Sequence, residues 1–135
     1  MISKPIGGLD AGLFIDHIDT DWSFRVLAHG RRLFGIPSAR LIHRMGRGSR
    51  RVWLLGWRVW PERSPQRHRT LFRNTILLLR RPHVPFVWKF WALVKLPLTL
   101  LLTLLYGPQR IPQLTAMLRG VRDGCLARTS NVRAG

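Results

Sequence analysis

A chain of 135 residues and 15.7 kDa holds one ordinary domain, which excludes any scheme that needs several catalytic modules. Lys and Arg number 23 against 6 Asp and Glu, a net charge of +17, and self-repulsion on that scale disfavours a lone compact soluble domain. With 46% apolar residues the sequence is equally unlike a disordered tail, so the excess charge asks for an acidic partner, anionic lipid or nucleic acid. Cys125 is the sole cysteine, so no intramolecular disulfide can form. Met1 to Asp10 lacks the apolar stretch of a secretory signal.

Charge is laid out in two blocks. Asp10, Asp16, Asp19 and Asp21 form an acidic head, and from Trp22 to Arg122 twenty Lys or Arg face Glu62 alone. Residues 1–48 read as mixed α/β. Thr20 or Asp21 can cap a helix over Trp22 to His29, Gly30 suits the left-handed position that ends it, and Arg31 to Ile36 and Ala39 to His43 read as short strands split by Pro37.

Residues 49–82 are basic and Trp-rich. Trp53, Trp57 and Trp60 would share one face of a helix, and a basic amphipathic helix follows Pro65, with Leu71, Phe72, Ile76 and Leu79 as its apolar stripe. Residues 83–118 carry the apolar run Phe86 to Tyr106, interrupted by Lys89, Lys95 and Pro97. A near-central Lys95 costs about 3 kcal/mol on the insertion scale, against about 4 kcal/mol gained from the leucines. That balance predicts a helix pair lying in the membrane interface, broken near Pro97, with Trp88, Trp91 and Tyr106 at headgroup depth, and a true membrane span as the alternative. Residues 119–135 read as a loose tail.

Asp16, Asp19 and Asp21 are close enough to resist full ionisation without a cation among them. Such a cluster binds a metal, does proton chemistry, or is a solvated loop at a helix start. The run Ile6 to Gly46, with Gly7-Gly8-Leu9-Asp10, Leu13-Phe14-Ile15-Asp16, Asp19-Thr20-Asp21-Trp22, Arg25, Gly30, Pro37, His43 and Gly46, resembles the C-terminal half of the catalytic domain of family 2 inverting glycosyltransferases, rhamnosyltransferase-like branch. Arg73-Asn74 ahead of Ile76 to Leu79 resembles the helix that follows that domain. The fold implied is α/β: a partial, C-terminal piece of a nucleotide-sugar domain followed by membrane-associated amphipathic helices.

The resemblance implies a catalytic base at Asp19, where Ile18 replaces the usual preceding Glu, with Asp21 as competitor. Asp21 also stands four residues before Arg25, a spacing that would brace the helix as an ion pair. Asp16 would keep the loop acidic, and Trp22 would stack on an acceptor or enter the core. His43 would help hold a divalent Mg or Mn ion, or serve as a structural histidine at a strand end. Implied partners are a nucleotide sugar, a glycan or lipid-linked acceptor, an N-terminal half that seats the donor, and an anionic membrane at the cytoplasmic face of the inner membrane, with the chain peripheral or monotopic and inactive alone. The competing expectation is a small basic protein that binds membrane or nucleic acid without catalysis; clustered acids and Trp set among Leu and Val argue against nucleic acid.

Overall fold

The computed structural model describes residues 6–40 and 48–128. After a 3-10 turn at Ala11–Leu13 come α1 (Ile18–Ala28), a hairpin of β1 (Ser49–Trp53) and β2 (Trp57–Pro61), and three further helices, α2 (Pro65–Leu79), α3 (Phe86–Tyr106) and α4 (Arg110–Leu126). The architecture is mixed α/β, with four helices and one two-stranded antiparallel sheet among the described residues. Residues 31–40 form no strand. The expected strand at Arg31 to Ile36 is therefore absent, and most of the second expected strand, with His43, lies outside the described residues.

α1 begins one turn earlier than its capping residues suggest, because His17 adopts a left-handed conformation, φ 69°, and breaks the chain there. Gly30 takes φ 72° just beyond α1, the conformation that a residue without Cβ reaches at no steric cost.

The Trp-rich segment is a hairpin and not a helix. Gly56 at φ 124° and Leu55 at φ 51° form its tip, and the aromatic and β-branched residues on either side favour strands. Trp53 pairs with Trp57 across the ladder, while Val52 and Trp60 point to the opposite face. The three rings therefore do not share a face: Trp53 and Trp57 are exposed, and Trp60 is half-buried beside the fully buried Val52.

α2 is the central helix. Ser64 caps it, accepting from the Arg67 N–H, with Pro65 in the first turn. Its residues Leu77 and Leu78 join Leu13 and Val84 in the core, flanked by Ile18, Phe24, Trp88 and Ala127. Part of the apolar stripe of α2 is covered within the protein, since α4 packs closely against Phe72 and Ile76. Gly120 and Gly124 make that approach possible: a Cβ on Gly120 would stand 2.4 Å from the Arg69 carbonyl oxygen, and one on Gly124 2.7 Å from Ile76 Cβ. Asp123 pairs with Arg69, and the Arg80 guanidinium donates to the Gly124, Cys125 and Ala127 carbonyls at the end of α4. Residues 119–126, read from sequence as loose, are thus the last turns of a docked helix.

α3 runs unbroken through Pro97, contrary to the expected break. It is long and apolar enough to cross a membrane by length and composition, and only 17% of its most apolar stretch is buried within the protein. Trp88 is not free for a headgroup layer, because its ring packs edge-on against His17 and Phe24 at 5.5 and 5.8 Å. Trp91 and Tyr106 are exposed.

Candidate active site

The acidic head is held by side chains that lie far away in sequence. Asn74 Nδ2 donates to the carbonyls of Leu13 and Asp16, the latter at 2.8 Å, and Arg73 Nη1 donates to the Gly12 carbonyl at 2.8 Å. His17 Nε2 lies 3.1 Å from Thr75 Oγ1. That hydroxyl already donates to the Leu71 carbonyl at 2.8 Å, so it accepts from His17 and the proton sits on Nε2. Burial lowers the His17 pKa against the raising influence of Asp16 and Asp19, which keeps that tautomer neutral. The chain is bent to fit this clamp: Phe14, with φ 56° and ψ −72°, and His17 both hold positive φ without being glycine.

Each carboxylate has a different environment. Asp21 is fully buried and accepts from Arg25 Nε at 3.0 Å, Arg81 Nη1 at 2.6 Å and His83 Nε2 at 2.7 Å. Burial alone would raise its pKa, but the hydrogen bonds and charges of Arg81 and His83 outweigh that and leave it lowered. Asp10 caps the 3-10 turn through Gly12 N–H and pairs with Arg81. Arg25 Nη1 and Nη2 donate to the carbonyls of Ile6 and Gly8 at 2.9 and 2.8 Å. One buried network of Asp10, Asp21, Arg25, Arg81 and His83 therefore ties the first described segment, α1 and the α2–α3 loop together.

Asp16 is half-buried, 3.6 Å from Arg67, with its second oxygen buried and unpartnered among the described residues. Asp19 is exposed in the first turn of α1 and, among the described residues, accepts only from the adjacent Thr20 N–H at 2.9 Å. Among the described residues it makes no ion pair. Trp22 is half-buried. The structure thus brings Asp10, Asp21 and Arg25 into one cluster, holds Asp16 on the clamped loop and places Asp19 in the first turn of α1 that follows, while His43 lies outside the described residues. Arg81, His83 and Thr75 were not found from sequence: each meets its partner across about 60 residues of chain, and no local spacing announces such a contact.

The resemblance implies a divalent ion. Among the described residues no three His, Cys, Asp or Glu side chains converge to hold one, and Asp10 and Asp21 are already neutralised by guanidinium groups. These residues by themselves do not fit a metal centre.

The chain is 38% identical over 91 residues to the dTDP-rhamnosyl transferase RfbF of Shigella flexneri, a match that takes in 64% of this chain and 30% of that protein. The match relates the chain to a glycosyltransferase, and the chain spans less than a third of the length of that curated relative. No family profile matches the sequence, and no solved structure is similar to it.

Proposed function

We propose that this chain is the acceptor-side, C-terminal part of a family 2 inverting glycosyltransferase, with Asp19 as the base. The observation that carries this is the contrast among the four acids of the head. Asp10 and Asp21 are committed to arginines and Asp16 faces Arg67, whereas Asp19 is exposed and unpaired among the described residues. It stands in the first turn of α1, directly after the loop that Arg73 and Asn74 hold in place, which is how a base is kept ready for an incoming hydroxyl. The reaction class is supported by the rhamnosyl transferase match.

In the proposed step the acceptor oxygen bonds to the anomeric carbon while its proton passes to the Asp19 carboxylate. The bond from that carbon to the nucleotide diphosphate breaks, and its electron pair leaves on the diphosphate oxygen. The donor class suggested by the relative is a dTDP-linked rhamnose; the acceptor is a cell-envelope glycan or a lipid-linked one. Donor seating is assigned to polypeptide outside these 135 residues. Exposed Phe14 in the head and exposed Phe34 and Ile36 after α1 support a covering partner. A Mg or Mn ion would need donors beyond the described residues, with His43 the candidate from this chain.

The body is proposed to lie on the cytoplasmic face of the inner membrane. Phe86, Val87, Phe90, Trp91, Leu93 and Val94 are exposed on α3, and the net charge of +17 complements anionic lipid. Two measurements test these proposals. Rhamnosyl transfer from a dTDP-linked donor, assayed with the donor-binding half joined to this chain, should vanish in Asp19→Asn while nucleotide-sugar binding survives; full activity in that variant refutes the base. Flotation of the 135-residue chain with phosphatidylglycerol vesicles should succeed where neutral vesicles fail, and no preference for anionic vesicles refutes the membrane assignment.

A further inference from the structure

The hairpin has one face turned to the protein and one bare. Val52 is buried and Trp60 half-buried on the inner face, and the Arg50 guanidinium ties the base of the hairpin to the end of α3 by donating to the Tyr106 carbonyl at 3.0 Å. The ladder sets Trp53 opposite Trp57 and Arg51 opposite Val59. Because side chains alternate along a strand, these four share the outer face. There Trp53, Trp57 and Val59 are 58%, 70% and 67% exposed. Neither the proposed transfer nor the membrane contact of α3 uses them.

The tip is apolar at a conformational cost. Leu55 holds φ 51° and is 90% exposed. Gly, Asn or Asp fills a left-handed turn position with least strain, and a bulky residue is an outlier there. A leucine so placed and so bare adds little to the fold, so its side chain is explained by what it meets outside the chain. The charges behind it say what that is. Residues 49–61 carry Arg50, Arg51 and Arg58 and no acid. Arg50 pairs with Glu62, whereas the exposed guanidinium groups of Arg51 and Arg58 have no ion pair or hydrogen bond among the described residues.

Arg58 follows one residue and Arg51 two residues behind the tryptophan pair, about 3 and 7 Å along the strands. Leucine tip, indole pair and guanidinium groups therefore succeed one another in the order of acyl chain, interface and phosphate in an anionic bilayer, where indoles settle at the interface and cations are held at the surface. A single-stranded nucleic acid would ask instead for rings spread along a basic groove to stack successive bases, and an aliphatic tip offers it nothing. We propose that the β1–β2 hairpin is a membrane wedge: Leu55, Trp53 and Trp57 enter the interface of an anionic lipid surface, and Arg51 and Arg58 meet its phosphates. The inference rests on the membrane location proposed above and adds a contact separate from α3.

Two substitutions at Leu55 in the 135-residue chain test it. Asparagine suits the left-handed position, so Leu55→Asn should keep or raise Tm while affinity for phosphatidylglycerol vesicles drops about tenfold, the loss of one buried leucine. Unchanged affinity, or a lowered Tm that makes Leu55 structural, overturns the proposal. A polarity-sensitive fluorophore on Leu55→Cys, with Cys125→Ser, should shift to the blue on phosphatidylglycerol vesicles and not on phosphatidylcholine; an equal shift on both overturns the anionic partner. The same label on Phe90→Cys reports α3 alone. If Phe90 enters the lipid and Leu55 stays in water, the wedge is overturned and the membrane assignment stands; if neither enters, both fall. A Leu55 label already shielded without lipid, with a dimer by sedimentation, gives the face to a second copy and overturns the wedge. Arg51→Gln and Arg58→Gln should each weaken vesicle binding about fivefold.

Discussion

Replacing Asp21 by asparagine keeps the side-chain volume and removes one negative charge from a fully buried position. In the native chain that carboxylate accepts from Arg25, Arg81 and His83 at 2.6–3.0 Å. Asparagine retains one acceptor oxygen and turns an NH₂ group toward donors, so at least one of the two guanidinium groups loses its counter-charge inside the protein. Breaking a buried pair from one side costs about 3–5 kcal/mol, a third or more of the stability of an ordinary domain. At roughly 4 °C per kcal/mol for a chain of this size, Tm should fall by about 12–20 °C. Asp19→Asn is the internal comparison: exposed and, among the described residues, bonded only to the Thr20 N–H, it should lose about 1 kcal/mol or less of capping and dipole stabilisation. Thermal melts of the wild type and both variants, followed by far-UV circular dichroism in one detergent, read the difference. Equal Tm values for the two variants would refute the assignment of Asp21 to a buried ion network and reopen it as a base.

Other outcomes follow from the same contacts. Gly120→Ala gains about 1 kcal/mol of helix propensity but forces a Cβ to within 2.4 Å of the Arg69 carbonyl, an overpacking cost of about 1–3 kcal/mol; a lowered Tm is expected, and a raised one would refute close α2–α4 packing. Because the folded pKa of Asp21 is lowered, its stabilisation is complete above the unfolded value of about 3.9 and is lost as pH falls through the folded value, so acid unfolding should steepen below about pH 4. His17 and His68 are lowered from 6.5 by burial, so the unfolded chain takes up their protons first; Tm should already decline as pH drops below about 6.5, and a flat profile from pH 7 to 5 would refute their burial as neutral rings. Phe90→Ser with Trp91→Ser removes two exposed rings from α3, each worth about 1.5–3 kcal/mol when buried, and should weaken vesicle binding at least tenfold.

The sequence by itself determined whatever depends on neighbours within one or two turns. It set the bounds of α3 between Pro85 and Gly107, the Ser64-Pro65 start of α2, the glycine after α1 and the four-residue spacing of Asp21 and Arg25. A spacing of three and four is ambiguous wherever a turn interrupts it, which is why Trp53, Trp57 and Trp60 read as a helical face although Gly56 folds them into a hairpin. Only the tertiary structure decided which acid stays free. Arg81 and His83 reach Asp21 across about 60 residues, and Arg73 and Asn74 grip the acidic loop from a comparable distance. The same holds for α4, whose weakly patterned turns become ordered because two glycines let its backbone touch α2. Local preferences fix an element, but charge pairing and close backbone contact depend on which distant surfaces meet.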